Sequence, residues 1–216
     1  NMDKYKETFQ TWNKIASIYQ DKFMNLDLYN DTYDIFSELI TERNPTILEI
    51  GCGPGNITKY LLDKRADFKI TVIDIAPNMI ELAKKNNPTA DFKVLDSRNI
   101  DKLKIEYDGI IAGFCIPYLS KVDCSKLIND SSNLLSDSGI IYLSFVEGSY
   151  ENSEFQSGSS GDRIYFYYHN LNRFKKELEI NDFEVVEIIH KKYEKSDKTE
   201  EIHTILIAKK RTHNTS

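Results

Sequence analysis

Tyr5, Phe9, Trp12, Ala16 and Tyr19 recur at steps of four, three, four and three, which sets them on one face of a helix. Tyr29, Tyr33, Phe36 and Ile40 repeat the spacing, so two amphipathic helices are expected ahead of the first strand. From Thr46 the pattern changes to short apolar runs rich in β-branched residues, alternating with helical stretches. Strands are expected at Thr46–Ile50, Lys69–Asp74, Asp91–Leu95, Tyr107–Phe114 and Gly139–Val146, with helices at Asn56–Lys64, Asn78–Lys85 and Lys121–Leu135. That alternation predicts an α/β fold, a parallel sheet built from βαβ units. The polar stretch SGSSG (Ser157 to Gly161) reads as a mobile loop over one rim of the sheet. The aromatic run IYFYY follows it, then a helix and a strand, and EIHTILIAKK closes the pattern as a last strand.

One break between apolar runs is unusually sharp. In TILEIGCGPGNITKYLL, three glycines and a proline fall within Gly51 to Gly55, between a strand and a helix. Glycines there permit backbone angles, or a close approach, that a side chain would obstruct. Exposed N–H groups and the positive end of a helix dipole then meet at the carboxyl edge of the sheet, where ligands of open parallel sheets lie. A tight strand-to-helix turn needs the same glycines with no ligand at all. The second strand, however, ends at Asp74, about twenty residues on, where a carboxylate suits the two hydroxyls of a ribose.

Composition narrows the partners. The chain has 216 residues, 40% of them hydrophobic, enough for one sizeable core. A formal charge of -6 supplies no net attraction to phosphate backbones or anionic membranes, so neither nucleic acid nor a membrane is expected as partner. No apolar run approaches the ~20 residues of a membrane helix. Cys52, Cys115 and Cys124, an odd number without framework spacing, point to a reducing, cytoplasmic compartment, and no metal-ligand spacing emerges.

The motif EIGCGPG (Glu49 to Gly55) resembles the E/D-x-G-x-G-x-G motif of class I S-adenosylmethionine-dependent methyltransferases. The dehydrogenase G-x-G-x-x-G fails here because Asn56 holds its third glycine position. The resemblance continues in family order through VIDIAPNMIELAK, FKVLDSRNI, YDGIIAGFCIPYLS and LLSDSGIIYLSF, spanning roughly Trp12 to Lys209. It implies a Rossmann-like three-layer sandwich, a seven-stranded, mostly parallel sheet with an antiparallel last strand and two N-terminal helices. One domain over residues 2–210 is expected: a helical cap at 2–44, a cofactor-binding core at 45–148 and a substrate-side region at 149–210, with a tail at 211–216.

Carried over by position, the resemblance implies that Gly51, Gly53 and Gly55 line the methionine part of the cofactor, with Glu49 orienting its amino group and Cys52 filling the loop. Asp74 would bind the ribose hydroxyls, Asp96 the adenine amino group and the Ser97 backbone a ring nitrogen. Ile75 and Met79 would flank the base, the Phe114 carbonyl would meet the ammonium, and Tyr19 would reach the carboxylate; an aromatic is also what helix packing needs at that place.

Methyl transfer from a sulfonium leaves a neutral leaving group, so positioning can supply most of the catalysis. If the acceptor must lose a proton, His169, Tyr118 and Glu147, at or after strand ends on the cofactor side, are the candidates, His169 first. Each has a plain structural reading too, and His203, inside the last strand, reads as structural. The cysteine-nucleophile order of cytosine modifiers and the N/D-P-P-Y signature of adenine and glutamine modifiers are both absent from CIPY and the residues around it. These departures favour a small-molecule acceptor; S-adenosylhomocysteine would be the coproduct, and a monomer or homodimer is expected. A non-catalytic cofactor sensor or partner subunit and an NAD-dependent oxidoreductase stay open as alternatives. The N-terminal helices and Val146 to Tyr168 are expected to form a lid.

Overall fold

A computed structural model describes residues 3–213; Met2 and the end of the expected tail lie outside the described residues. Helix α1 (Lys4–Lys14) starts where the Asp3 side chain accepts from the Tyr5 N–H, a cap that satisfies one orphan donor. The expected single first helix is two: β-branched Ile15 takes φ -98° and ψ 14°, and α2 (Ala16–Phe23) starts beyond it. The apolar face survives the break, because the Trp12 and Tyr19 rings still meet edge to face at 5.2 Å. Helix α3 (Asn30–Leu39) completes the N-terminal region.

The core strands are β1 (Thr46–Ile50), β2 (Lys69–Asp74), β3 (Asp91–Val94), β4 (Tyr107–Ala112) and β5 (Leu135–Val146). Between them run α4 (Asn56–Lys64), α5 (Pro77–Asn86) and α6 (Lys121–Leu134). Pro77 opens α5, where a missing N–H costs nothing, and the Ser120 hydroxyl accepts from the Asp123 N–H to cap α6. A small antiparallel hairpin, β6 (Glu154–Ser157) with β7 (Arg163–Phe166), precedes α7 (Leu171–Ile180). Strands β8 (Phe183–Glu194) and β9 (Glu200–Lys210) finish the chain.

The main sheet has seven strands in the order β3-β2-β1-β4-β5-β9-β8. β1 to β5 are mutually parallel and β9 runs antiparallel to both β5 and β8, which is the expected architecture. Alternation along the strands splits the core into two layers. Leu48, Ile50, Ile110 and Leu143 pack with Leu127 of α6 and Phe174 of α7. Ile47, Val72, Ile111 and Tyr142 pack on the other face with Phe36 of α3, Ile57 of α4 and Ile80 of α5. The strand order reverses between β1 and β4, so a crevice opens there beyond the strand ends.

SGSSG is not a free rim loop. It is the turn of the β6–β7 hairpin, and the start of β7 docks on α1: the Thr11 hydroxyl donates to the Arg163 carbonyl at 2.6 Å and the Tyr165 N–H donates to Thr8 Oγ1 at 2.9 Å. Arg163 pairs with Glu7 and Lys14 with Asp162 beside them. The lone polar turn hid a strand pair whose partner is a helix more than a hundred residues earlier.

Candidate functional site

The chain leaves β1 through three left-handed glycines, with φ +70° at Gly51, +53° at Gly53 and +86° at Gly55. They serve different needs. A Cβ on Gly51 would lie 2.8 Å from Cys115 Cβ, and one on Gly55 would lie 2.5 Å from Asn87 Nδ2, so the protein's own packing demands both glycines. A Cβ on Gly53 would meet only the Tyr19 ring, at an ordinary 3.5 Å. Gly53 is thus the member of the turn whose bare main chain faces open space. Two asparagines from the end of α5 staple the turn: Asn87 Nδ2 donates to the Gly55 carbonyl at 3.0 Å and Asn86 Nδ2 to the Pro54 carbonyl at 2.8 Å.

Asp74, at the tip of β2, faces the same space. Its Oδ2 accepts the Gly53 N–H at 3.0 Å and its Oδ1 the Ala76 N–H at 2.9 Å. Burial pushes its carboxyl up to about 6 against the pull of those two bonds. Glu49 is fully buried behind the turn. Thr58 donates to its Oε1, its Oε2 has no partner among the described residues, and burial raises its carboxyl to about 8.

A cavity opens between the turn and the N-terminal helices. Its floor is Gly51, Gly53 and Asp74, one wall is Ile75, Met79, Leu95 and Ser97, and the other is Phe114, Cys115, Tyr118 and Leu119. Phe9 and Trp12 of α1 and Tyr19 of α2 roof it. The structure therefore brings together Tyr19, Gly51, Gly53, Asp74, Ile75, Met79, Ser97 and Phe114 of the expected cofactor set. Glu49, Cys52 and Gly55 lie behind the lining: Cys52 is buried and its thiol donates to the Gly53 carbonyl. Phe9, Trp12, Leu95, Cys115 and Leu119 line it unforeseen. Burial pushes the Cys115 thiol up to about 12, so it is a wall and not a nucleophile.

Asp96 departs from its expected placement. It caps the short helical turn at Ser97–Lys102, and Arg98 takes both its oxygens, Nη2 to Oδ2 at 2.7 Å and Nε to each at 3.1 Å. The carboxylate is held by a guanidinium that lies 4.2 Å over the Tyr5 ring, and Asp96 is not among the residues that line the cavity.

Two of the three expected proton acceptors are also elsewhere. His169 is 2% exposed; its Nε2–H donates to the Ile116 carbonyl at 3.1 Å, its ring packs on Phe174, and burial lowers its basicity to about 4. Glu147 has its Oε2 4.0 Å from His190 Nδ1 and, like His169, lines neither cavity of the crevice. Tyr118 alone faces it.

A second cavity adjoins the first, and Trp12, Tyr19, Phe114 and Tyr118 line both. Its far wall is the β8–β9 hairpin, which runs on past its last pairing with β5, Val146 opposite His203. On that overhang His203 stacks between Tyr29 and Tyr193, with ring centroids 5.8 and 4.9 Å away, and Glu201 lies beside it. His203, read from sequence as structural, is on a cavity wall; Tyr29, Tyr193 and Glu201 carried no motif that could have flagged them. Among the described residues no helix is long and apolar enough to cross a membrane, and no cluster of three or more acidic, Cys or His side chains is placed to hold a metal.

Comparison with known proteins adds a family. Residues 47–139 match the family model described as a methyltransferase domain. A methyltransferase-like protein, 235L of Invertebrate iridescent virus 6, is 31% identical over 138 residues, 63% of this chain and 49% of that one. A malonyl-[acyl-carrier protein] O-methyltransferase of Acetivibrio thermocellus is 36% identical over 109 residues, 50% of this chain and 38% of the other. A tRNA N(3)-methylcytidine methyltransferase of Schizosaccharomyces pombe is 25% identical over 173 residues, 74% and 68% of the two chains. The chain thus spans half or less of the length of the first two. Among solved structures, a 1,6-didemethyltoxoflavin-N1-methyltransferase of Burkholderia thailandensis, with bound 1,6-didemethyltoxoflavin and S-adenosylhomocysteine, superposes with a TM-score of 0.72 at 15% identity, covering 98% of this chain and 92% of that one. Residues 47–139 thus resemble the methyltransferase-domain family, and the chain has the class I fold of the S-adenosylmethionine-dependent methyltransferases it superposes on.

Proposed function

We propose that the chain is an enzyme that binds S-adenosylmethionine in the first cavity and methylates a small molecule held in the second. The observation that carries the reading is the shared wall of Trp12, Tyr19, Phe114 and Tyr118, which puts a cavity floored by a glycine turn and an acid against a second one at the switch point of the sheet. The residues fit the cofactor: Gly53 offers a bare left-handed main chain, and Asp74 spends one bond per carboxylate oxygen on the backbone, leaving lone pairs for a diol.

In this reading Gly51 and Gly53 border the amino-acid tail, Asp74 binds the ribose hydroxyls, and Ile75 and Met79 flank the base, with Leu95 and the Ser97 backbone at its edge. Tyr19 and Phe114 close the methionine end, and buried Glu49 answers an ammonium from behind the turn. Asp96 acts at one remove, holding Arg98 against Tyr5. Bound there, S-adenosylmethionine supplies an activated methyl group on a positively charged sulfur. The aromatic wall aligns the acceptor and excludes water, which is where the rate gain lies. Helix α1 and the β6–β7 hairpin, joined at Thr11 and Arg163, form the cover. The cap at 2–44, core at 45–148 and substrate-side region at 149–210 act as one domain, a cytoplasmic monomer or homodimer.

The nicotinamide and sensor alternatives are separable by experiment. Calorimetry is expected to show S-adenosylhomocysteine binding one to one and NAD not binding; the reverse overturns the cofactor. Incubation with S-adenosylmethionine and a metabolite mixture, read by mass spectrometry, is expected to yield products heavier by CH₂. Cofactor binding with no such product would make the chain a sensor.

A further inference from the structure

The second cavity carries its own selection rule, and this inference rests on the reading above. The geometry points to an acceptor that is a flat ring with an O–H or N–H group and no anionic group, held by Glu201 and His203, with Glu201 taking its proton. Rings make up much of the cavity surface, with Tyr29, Phe145, Phe166 and Tyr193 joining the shared wall, so a flat molecule fits between faces. Of the described residues that line it, Glu201 is the one carboxylate and none is Lys or Arg. Lys191, opposite His203 in the hairpin, is tied at 2.8 Å to Asp31. An anionic acceptor would therefore be desolvated beside a carboxylate with no Lys or Arg on the cavity wall to offset it.

The polar edge of the cavity is an imidazole beside a carboxylate. The Tyr29 hydroxyl is hydrogen-bonded to His203 Nδ1, and burial keeps that phenol protonated. Nε2 is buried and has no hydrogen-bond partner among the described residues, while Glu201 Oε1 stands 3.8 Å away, too far for a good hydrogen bond to it. A ring hydroxyl or N–H placed there can lie against Nε2 while donating to Glu201. As the new O–C or N–C bond forms and the C–S bond breaks, its electron pair stays on sulfur and the acceptor's proton passes to Glu201. The methylated ring leaves without a charge gained.

The probes are 2-naphthol, a neutral ring hydroxyl, and 2-naphthoate, its anionic counterpart, titrated calorimetrically at pH 7.5 into the full chain loaded with S-adenosylhomocysteine. The expected result is binding of 2-naphthol at least tenfold tighter than 2-naphthoate, with the preference falling below threefold in Glu201→Gln while S-adenosylhomocysteine affinity stays within twofold. Absence of 2-naphthol binding, equal affinity for the two probes, or a preference that survives Glu201→Gln overturns the inference. Failure of S-adenosylhomocysteine itself to bind the unaltered chain would instead overturn the cofactor reading, so the two failures are distinct.

Discussion

The Gly53 N–H donates to Asp74 Oδ2 at 3.0 Å, so the acid at the tip of β2 holds the open part of the glycine turn in place before any ligand arrives. Turn and acid are one unit. Asp74→Ala removes both the hold on the turn and the partner for a diol, and the loss of two charge-assisted hydrogen bonds to ligand is worth about 3 kcal/mol or more. S-adenosylhomocysteine affinity should drop at least a hundredfold by titration with the circular dichroism spectrum intact. Unchanged affinity would remove the ribose assignment.

The raised acids give the free protein a pH signature. Asp74 moves from 3.8 to about 6 and Glu49 from 4.5 to about 8, both through burial, so the folded state holds these protons more tightly than the unfolded chain. Their contribution is complete below pH 4 and is lost as pH rises, through 6 for Asp74 and through 8 for Glu49. Thermal melts should therefore show stability falling between pH 6 and 8, by at most about 1.4 kcal/mol per unit from Glu49. Glu49→Gln should flatten that limb, and a limb of the same slope in the variant would contradict the assignment.

Ligand binding should reverse the same protonation. A diol on Asp74 and an ammonium near Glu49 both favour ionised carboxyls. S-adenosylhomocysteine titrated at pH 7 in phosphate and in Tris should give binding enthalpies that differ in the sense of proton release. Equal enthalpies would mean that neither acid responds to the ligand.

The glycines should separate by substitution. Gly51→Ala combines a left-handed φ with a 2.8 Å clash against Cys115 and should cost at least about 2 kcal/mol in a denaturant titration. Gly53→Ala meets only the φ penalty, about 1 kcal/mol, and should show its larger effect as weakened cofactor binding. If both variants lose stability equally and bind equally, the turn is only structural.

His169 is buried structure. His169→Phe removes one of the two hydrogen bonds to the Ile116 carbonyl, which keeps the Leu119 N–H, and should lower stability by about 0.5 to 1.5 kcal/mol, with turnover per folded molecule within twofold of the unaltered chain once an acceptor is in hand. A hundredfold fall in turnover at full stability would restore it as a proton acceptor.

The sheet was legible because continuous apolar runs such as ITVID at β2 and helical spacing such as that of α4 are local signals read within about ten residues. Gly51 to Gly55 and Asp74 were legible for the same reason: a turn and an acid at strand ends need no knowledge of distant chain. The break at Ile15 was hidden since the apolar face runs through it. His169 and Glu147 were misplaced because position after a strand end says nothing of which way a side chain turns. Asp96 looked free because its partner, Arg98, is two residues on and reads as an ordinary surface charge. The far wall of the second cavity was illegible, because Tyr29, Tyr193, Glu201 and His203 meet only where the β8–β9 hairpin overhangs β5.

A crystal structure of the chain grown with S-adenosylhomocysteine examines the main claim at the atoms concerned. The account requires ligand density in the first cavity, its amino-acid end against Gly51 and Gly53 and its ribose on Asp74. Ligand density at another place, or a first cavity filled by Phe9 and Trp12 with the ligand excluded, would contradict it.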